Sequence, residues 1–308
     1  MDKPVIFLTG PTAAGKSGAA VELALQLDGE IVSADSAQVY RGMDIGTAKL
    51  PPEERRGVPH HLLDILDVTE SWDAARFRRL AIEAIAAIRS RNRQPLVAGG
   101  SGLYVRAVTR GLFDGAGRDE KVRSQLEQIE TTVLRQKLVQ ADPAAAARIS
   151  ANDRRRMIRA LECHQVTGQP ISAMQTQWAA SQPPPPDIGP FQIIGLERSR
   201  PEIYDRCNRR VDLMLKNGLV DEVRTLLTKG LVADSTAGQA IGYAEIIAHL
   251  RGEYPLDTAA ERIKQRTRHF AKRQWTWFRR EPGLKWLAIT PDESVASVAR
   301  RIRDMLAQ

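Results

Sequence analysis

Cysteine is nearly missing: the 308 residues hold 2, Cys163 and Cys207. They stand far apart and neither belongs to a C-x-x-C pair, which argues against a zinc site and suits a reducing compartment. Long apolar runs are missing too. MDKPVIFLTG carries too short a run for a secretory leader. No stretch approaches the length of a membrane span. The expectation is a soluble, cytoplasmic protein with no membrane partner. Histidine is scarce, at 5 residues, and His60 and His61 are adjacent. On a strand they would face opposite sides, so structural or hydrogen-bonding roles suit them better than metal ligation. Acidic residues are in deficit, 37 against 45 basic ones, for a formal net charge of +8. That excess favours a polyanionic partner, although solubility alone accounts for part of it. What remains is a globular composition, 43% hydrophobic and 27% charged, long enough for one large domain or a domain with an elaboration. There is no internal repeat.

The densest local signal is GPTAAGKS. Gly10, Gly15, Lys16 and Ser17 spell G-x-x-x-x-G-K-[ST], the phosphate-binding loop, around Pro11, Thr12, Ala13 and Ala14. The apolar run PVIFLTG leads into it, and SGAAVELALQL follows with helical periodicity. Strand, glycine loop and helix are the context the motif requires. Its backbone N–H groups and the helix N-terminus suit a diphosphate or longer anion. Lys16 adds a point charge. The Ser17 hydroxyl suits a magnesium ion bridging phosphate oxygens. Nothing in the loop requires a nucleoside; it requires two linked phosphates.

Further strands are expected in GEIVSADS, HHLLDIL, QPLVAGG, FQIIGLE and LKWLAI, with helices between them. Alternation of this kind predicts an α/β fold, a P-loop NTPase-like parallel sheet flanked by helices. Residues 119–178 read instead as helical and rich in Ala, Gln and Arg, and the four prolines 183–186 suit an extended linker. The expected division is a catalytic core of residues 1–114 and 190–308 with an all-helical insertion at 115–189. Ligands of such sheets bind beyond the carboxyl ends of the strands. Residues 12–17, 35–38 and 99–102 should share that rim.

Asp35 is either a general base or a helix N-cap, and taken alone its residue type favours the cap. Ser36 and Gln38 add groups able to read a base edge. The rest of SADSAQVYRGMDIGTAK is long, polar and glycine-punctuated, as a substrate loop would be. AGGSGLYVRA is a second glycine turn, or merely a tight entry into a helix. Arg154, Arg155, Arg156 and Arg159 are phosphate-backbone contacts or a solvated face. In AERIKQRTRHFAKRQWTWFRRE, eight basic residues from Arg262 to Arg280 mix with Phe270, Trp275, Trp277 and Phe278. Most of these rings are expected in the core and several of the arginines on a nucleic-acid backbone.

Taken together, GPTAAGKS, DSAQVYRGMDIGTAK with VPHHLLDILD, GGSGLYVRA, RRRMIRALECHQVTG, AIGYAE and KRQWTWFRR resemble the tRNA dimethylallyltransferases, or tRNA isopentenyltransferases, over nearly the whole chain. The resemblance implies transfer of a dimethylallyl group from dimethylallyl diphosphate to the exocyclic N6 amine of the adenosine just 3′ of a tRNA anticodon, with Mg2+ assisting. It assigns the diphosphate to Gly10, Pro11, Thr12, Ala13, Ala14, Gly15, Lys16 and Ser17. Ser17 is the expected metal ligand. Asp35 becomes the general base, with Thr12 and Arg210 beside it as catalytic residues. Expected tRNA contacts are Asp35, Ser36, Ala37, Gln38, Ser101, Arg123, Arg159, Ala160, Leu161, Glu162, Cys163, Gln239, Ala240, Ile241, Gly242, Tyr243 and Ala244. The insertion would grip the anticodon arm, and the protein would act as a monomer. Two departures stand out. Ala244 replaces a basic residue common in relatives, which should weaken affinity modestly, and GGSG replaces GGTG, which keeps the hydroxyl. A P-loop nucleotide or small-molecule kinase is the alternative; it leaves the basic helices without a purpose.

Overall fold

The computed structural model describes residues 3–113, 117–175 and 185–307. Trp178 and the first two prolines of the expected linker, Pro183 and Pro184, lie outside them. The chain divides into two compact units, one of Met1–Thr109 with Pro185–Gln308, the other of Arg110–Pro184.

In the larger unit, β1 (Val5–Thr9), β2 (Gly29–Ser33), β3 (His60–His61) and β4 (Gln94–Ala98) precede the second unit in sequence, and β5 (Phe191–Glu197) and β6 (Leu284–Ala288) follow it. They form one sheet in the order β3-β2-β4-β1-β5-β6, every pair parallel. β1 and β2 are buried along their whole length, as strands covered on both faces should be. Alternation along each strand builds two cores. Val5, Phe7, Val32, Val97 and Ile193 point to one face, where α2 (Ala74–Ser90) contributes Phe77, Ala81, Ile85 and Ile88. Ile6, Leu8, Ile31, Leu96 and Ile194 point to the other, against α1 (Lys16–Leu27). Asp73 starts α2 by accepting from the N–H of Arg76 at 2.8 Å. α3 (Gly102–Arg110) follows β4.

The expected strand HHLLDIL shrinks to His60 and His61. Leu62 and Asp64 adopt left-handed backbone, φ 60° and 56°, which no ladder accommodates. The turn buries Leu62 and carries the Asp64 carboxylate to Lys49 Nζ at 2.5 Å. His60 and His61 are hydrogen-bonded to the Val58 carbonyl and to Glu30.

The second unit comprises α4 (Glu120–Glu127), α5 (Thr131–Ala141), α6 (Pro143–Arg148), α7 (Arg154–Thr167) and α8 (Ile171–Met174) around its own core of Leu126, Leu134, Leu138, Met157, Ile158 and Leu161. Asp119, Asp142 and Asp153 cap α4, α6 and α7. The larger unit continues with α9 (Arg200–Lys216), α10 (Leu219–Thr228), α11 (Tyr243–Leu250), α12 (Leu256–Phe278) and α13 (Val295–Leu306). No helix among the described residues is long and apolar enough to cross a membrane.

Candidate active site

β1 ends at Thr9 and the phosphate loop begins. Gly10 has φ 131°, a conformation open to glycine, and a Cβ there would lie 2.5 Å from the Leu196 carbonyl oxygen. Four successive loop residues are then each bound by a cation. Lys16 Nζ donates to the Pro11 carbonyl at 2.8 Å. Arg210 donates to the Thr12 hydroxyl at 3.2 Å, and Arg206 Nε to the Ala13 carbonyl at 2.8 Å. Arg198 Nε donates to the Ala14 carbonyl at 3.2 Å. Arg198 also pairs with Glu202, at 2.5 Å. Among the described residues no carboxylate is within ion-pair distance of Lys16, Arg206 or Arg210. Burial, and then Arg210, push the Lys16 ammonium down to about 8, with Asp35 and Cys207 opposing. Burial likewise lowers Arg210 and raises the Cys207 thiol. Three cations gathered on one loop, with no carboxylate in ion-pair reach among the described residues, are able to hold an anion.

Asp35 follows β2. Its Oδ1 accepts from the N–H groups of Ala37 at 2.9 Å and Gln38 at 3.2 Å. A turn follows rather than a helix, so Asp35 caps with one oxygen and keeps Oδ2 for other chemistry. The Ala34 N–H donates to the Ala98 carbonyl at 2.8 Å, and the Ser101 N–H to the Ala34 carbonyl at 3.4 Å. The Gly99 N–H donates to the Leu8 carbonyl at 3.1 Å, and the Thr9 hydroxyl to the Gly99 carbonyl at 3.1 Å. Phosphate loop, Asp35 turn and glycine turn are thereby locked on one rim. Tyr104 stacks on Phe77 with centroids 4.3 Å apart, and burial, then Asp35, raise its phenol well above the usual range.

The loop after Asp35 is held from three sides. Gln38 Nε2 donates to the Thr47 carbonyl at 3.1 Å. Buried Lys49 donates to the Tyr40 carbonyl at 2.9 Å and to Asp44 and Asp64 at 2.5 Å each. Glu222 accepts from three consecutive backbone N–H groups, Asp44 at 2.9 Å, Ile45 at 2.7 Å and Gly46 at 3.1 Å. The same carboxylate accepts from the Tyr243 hydroxyl at 2.6 Å. Tyr243 and Gly242 are buried, so within the segment 239–244 the exposed side chain is Gln239, with Ala240, Ile241 and Ala244 half-buried.

In the second unit the expectation over 159–163 narrows. Ala160, Leu161, Glu162 and Cys163 are buried in that unit's own core, because this face of α7 packs on α4 and α5. Arg159 alone of the five presents a half-exposed side chain, paired with Glu162 at 3.0 Å. Arg123 lies 3.7 Å from Glu127. On α12, Trp275 and Phe278 enter the core, while Trp277 and Phe270 are half-buried. Several of its basic residues are occupied within the fold: Lys264 by Asp212, Arg266 by Glu245, Arg268 by Asn208. Lys272 and Arg280 are exposed.

Sequence reasoning missed Glu222, Lys49, Arg198, Arg206 and Gln274. Glu222 gives no local signal, since its backbone partners lie 176 to 178 residues away. Gln274 gives no local signal either; its Oε1 accepts from the Thr12 N–H at 2.7 Å. For a metal, the described residues hold no group of three or more His, Cys, Asp or Glu side chains suited to an ion. The exposed Ser17 hydroxyl in the first turn of α1 is a hard oxygen donor, which fits Mg2+, an ion commonly bound through few protein ligands plus phosphate oxygens and water.

A model of the IPP transferase family matches residues 38–281. The chain is 48% identical to tRNA dimethylallyltransferase 1 of Trichlorobacter lovleyi over 292 residues, 94% of each chain. It is 44% identical to tRNA dimethylallyltransferase of Thermotoga neapolitana over 284 residues, 91% of each. Among solved structures it resembles the tRNA isopentenylpyrophosphate transferase of Bacillus halodurans, with TM-score 0.71, 41% identity and coverage of 99% and 97%. It also resembles a eukaryotic dimethylallyltransferase solved acting on tRNA, with TM-score 0.82, 28% identity and coverage of 99% and 80%.

Proposed function

Because this chain belongs to the IPP transferase family, we propose that it transfers the dimethylallyl group of dimethylallyl diphosphate to the N6 amine of the adenosine just 3′ of a tRNA anticodon. One observation supports this reading above the others: Asp35 shares a rim with a phosphate loop whose Lys16, Arg206 and Arg210 carry no carboxylate partner among the described residues.

The adenine amine is a weak nucleophile because its lone pair is delocalised into the ring. Asp35 Oδ2 accepts its proton as the nitrogen bonds to the allylic carbon. The carbon–oxygen bond breaks and its electron pair leaves on diphosphate. Lys16, Arg210 and the Thr12 hydroxyl stabilise charge that grows on that leaving group, so they favour the transition state over the ground state. The Ser17 hydroxyl would hold Mg2+, which would supply further neutralisation of the diphosphate. Ser36, Ala37, Gln38 and Ser101 line the rim where the acceptor base is read, and the segment 239–244 supports it. Arg123 and Arg159 of the second unit bind the RNA backbone. The base must leave its stack, which costs a few kcal/mol and less in a loop than in a duplex. The protein acts on tRNA in the cytoplasm, as a monomer.

The test is mass analysis of nucleosides after incubation with dimethylallyl diphosphate and three acceptors: unmodified tRNA with adenosine 3′ of the anticodon, the same tRNA with guanosine there, and AMP. N6-isopentenyladenosine from the first alone supports the proposal. Prenylated AMP alone moves the protein to a free-nucleotide enzyme.

A further inference from the structure

We infer that Gln274 is a positioning residue for this transfer, setting the place of Thr12 between the phosphate loop and the glycine turn of residues 99–102. The inference rests on the reading above.

Gln274 is buried, 6% exposed, at the C-terminal end of α12. It spends both halves of its amide. Oε1 accepts from the Thr12 N–H at 2.7 Å, and Nε2 donates to the Gly100 carbonyl at 2.9 Å. The orientation is forced, because a backbone N–H only donates and a carbonyl oxygen only accepts. Its neighbours fix it further. Trp275 packs into the core on one face of the sheet and Phe278 into the core on the other. Gly100 is required by the approach, since a Cβ there would strike Gln274 Nε2. Thr12 is thus gripped twice: its peptide by Gln274, its hydroxyl by Arg210. Neither grip involves the anion, so both stand before substrate arrives. A side chain that must meet charge developing on a leaving group depends on such prior placement, and a shift of about 1 Å costs on the order of 100-fold in rate.

The isosteric Gln274→Glu keeps the acceptor and sets a carboxylate oxygen against the Gly100 carbonyl. It is measured in the full chain, with and without Thr12→Ala, for pyrophosphate Kd, tRNA KM and kcat. The expected result is a kcat about 10- to 100-fold lower, with pyrophosphate Kd and tRNA KM within about 3-fold of wild type. In the Thr12→Ala background the further loss should be below about 3-fold, because no hydroxyl is left to place. Unchanged kcat overturns the inference. So does the same fold-loss in both backgrounds, which would mean a purely structural role. If Gln274→Glu does not fold, Gln274→Met, which removes both hydrogen bonds at similar volume, carries the same comparison. A wild-type protein that binds pyrophosphate but prenylates no tRNA overturns the functional reading and this inference with it, and the wild-type arm alone identifies that case.

Discussion

Arg210 and Thr12 meet side chain to side chain, guanidinium to hydroxyl at 3.2 Å, across 198 residues of sequence. The contact joins the only hydroxyl of the Gly10–Gly15 stretch to a half-buried cation that has no carboxylate partner among the described residues. Arg210→Gln should lower kcat about 10²- to 10³-fold, the usual loss for a donor aimed at developing charge. Pyrophosphate Kd should change far less. Arg210→Lys should recover only part of the rate, because a point charge does not reproduce the planar fork. Single-turnover rates at saturating substrates check this; equal losses in binding and turnover would count against it.

Lys16 should make anion binding pH-dependent. Folding lowers its pKa from 10.5 to about 8, so the charged form is disfavoured in the folded protein. The stability cost is full below about 8 and vanishes above 10.5. A bound diphosphate reverses this by holding the charge. Pyrophosphate affinity should therefore fall as pH rises through about 8, by at most ~10-fold per pH unit. Titration calorimetry of wild type and Lys16→Arg isolates the effect, since the ligand's own ionisation is common to both and arginine stays charged.

Glu222 organises the loop after Asp35. In Glu222→Gln one half of the amide must face donors, and at least one of the four hydrogen bonds reported above becomes a donor–donor clash. Hydrogen bonds to a charged group are worth ~1.5–3 kcal/mol each, so tRNA KM should rise on the order of tenfold. Pyrophosphate Kd should hold, and limited proteolysis within residues 35–49 should quicken. A rise in pyrophosphate Kd matching that in KM would show that the loop and the phosphate site are not separable.

Two glycines of the phosphate loop should respond differently to alanine. At Gly10 the backbone has φ 131° and the new Cβ would lie 2.5 Å from the Leu196 carbonyl oxygen. At Gly15 φ is 96° and nothing lies within 4 Å. Gly10→Ala should cost more than ~2 kcal/mol and Gly15→Ala ~1 kcal/mol. Urea midpoints of the two variants check the order.

Much of this was legible in the sequence because the signals are local. The loop G-x-x-x-x-G-K-S, its strand and its helix are contiguous, and every expected strand is present in a parallel sheet. The shared rim followed from topology alone. HHLLDIL misled because its apolar pattern says nothing of the left-handed turns at Leu62 and Asp64, which serve the distant Lys49. The stretch RALEC of α7 looked like a contact surface, and four of its five side chains turned out to be core, since motif resemblance does not separate a helix's inner face from its outer one. Glu222 and Gln274 were invisible for a plainer reason. Each acts through backbone groups more than 170 residues away, and backbone groups leave no trace in sequence.

Asp35 lends one carboxylate oxygen to its own turn, and the proposed reaction assigns the other to the amine of the acceptor base. The direct measurement is single-turnover transfer of labelled dimethylallyl diphosphate to tRNA bearing adenosine 3′ of its anticodon, by wild type and Asp35→Ala at saturating tRNA. The account expects transfer by the wild type, and a loss in Asp35→Ala of at least the ~10²- to 10⁴-fold that a general base supplies, with tRNA affinity nearly kept. Full transfer by Asp35→Ala, or a loss that saturating tRNA repairs, would contradict it.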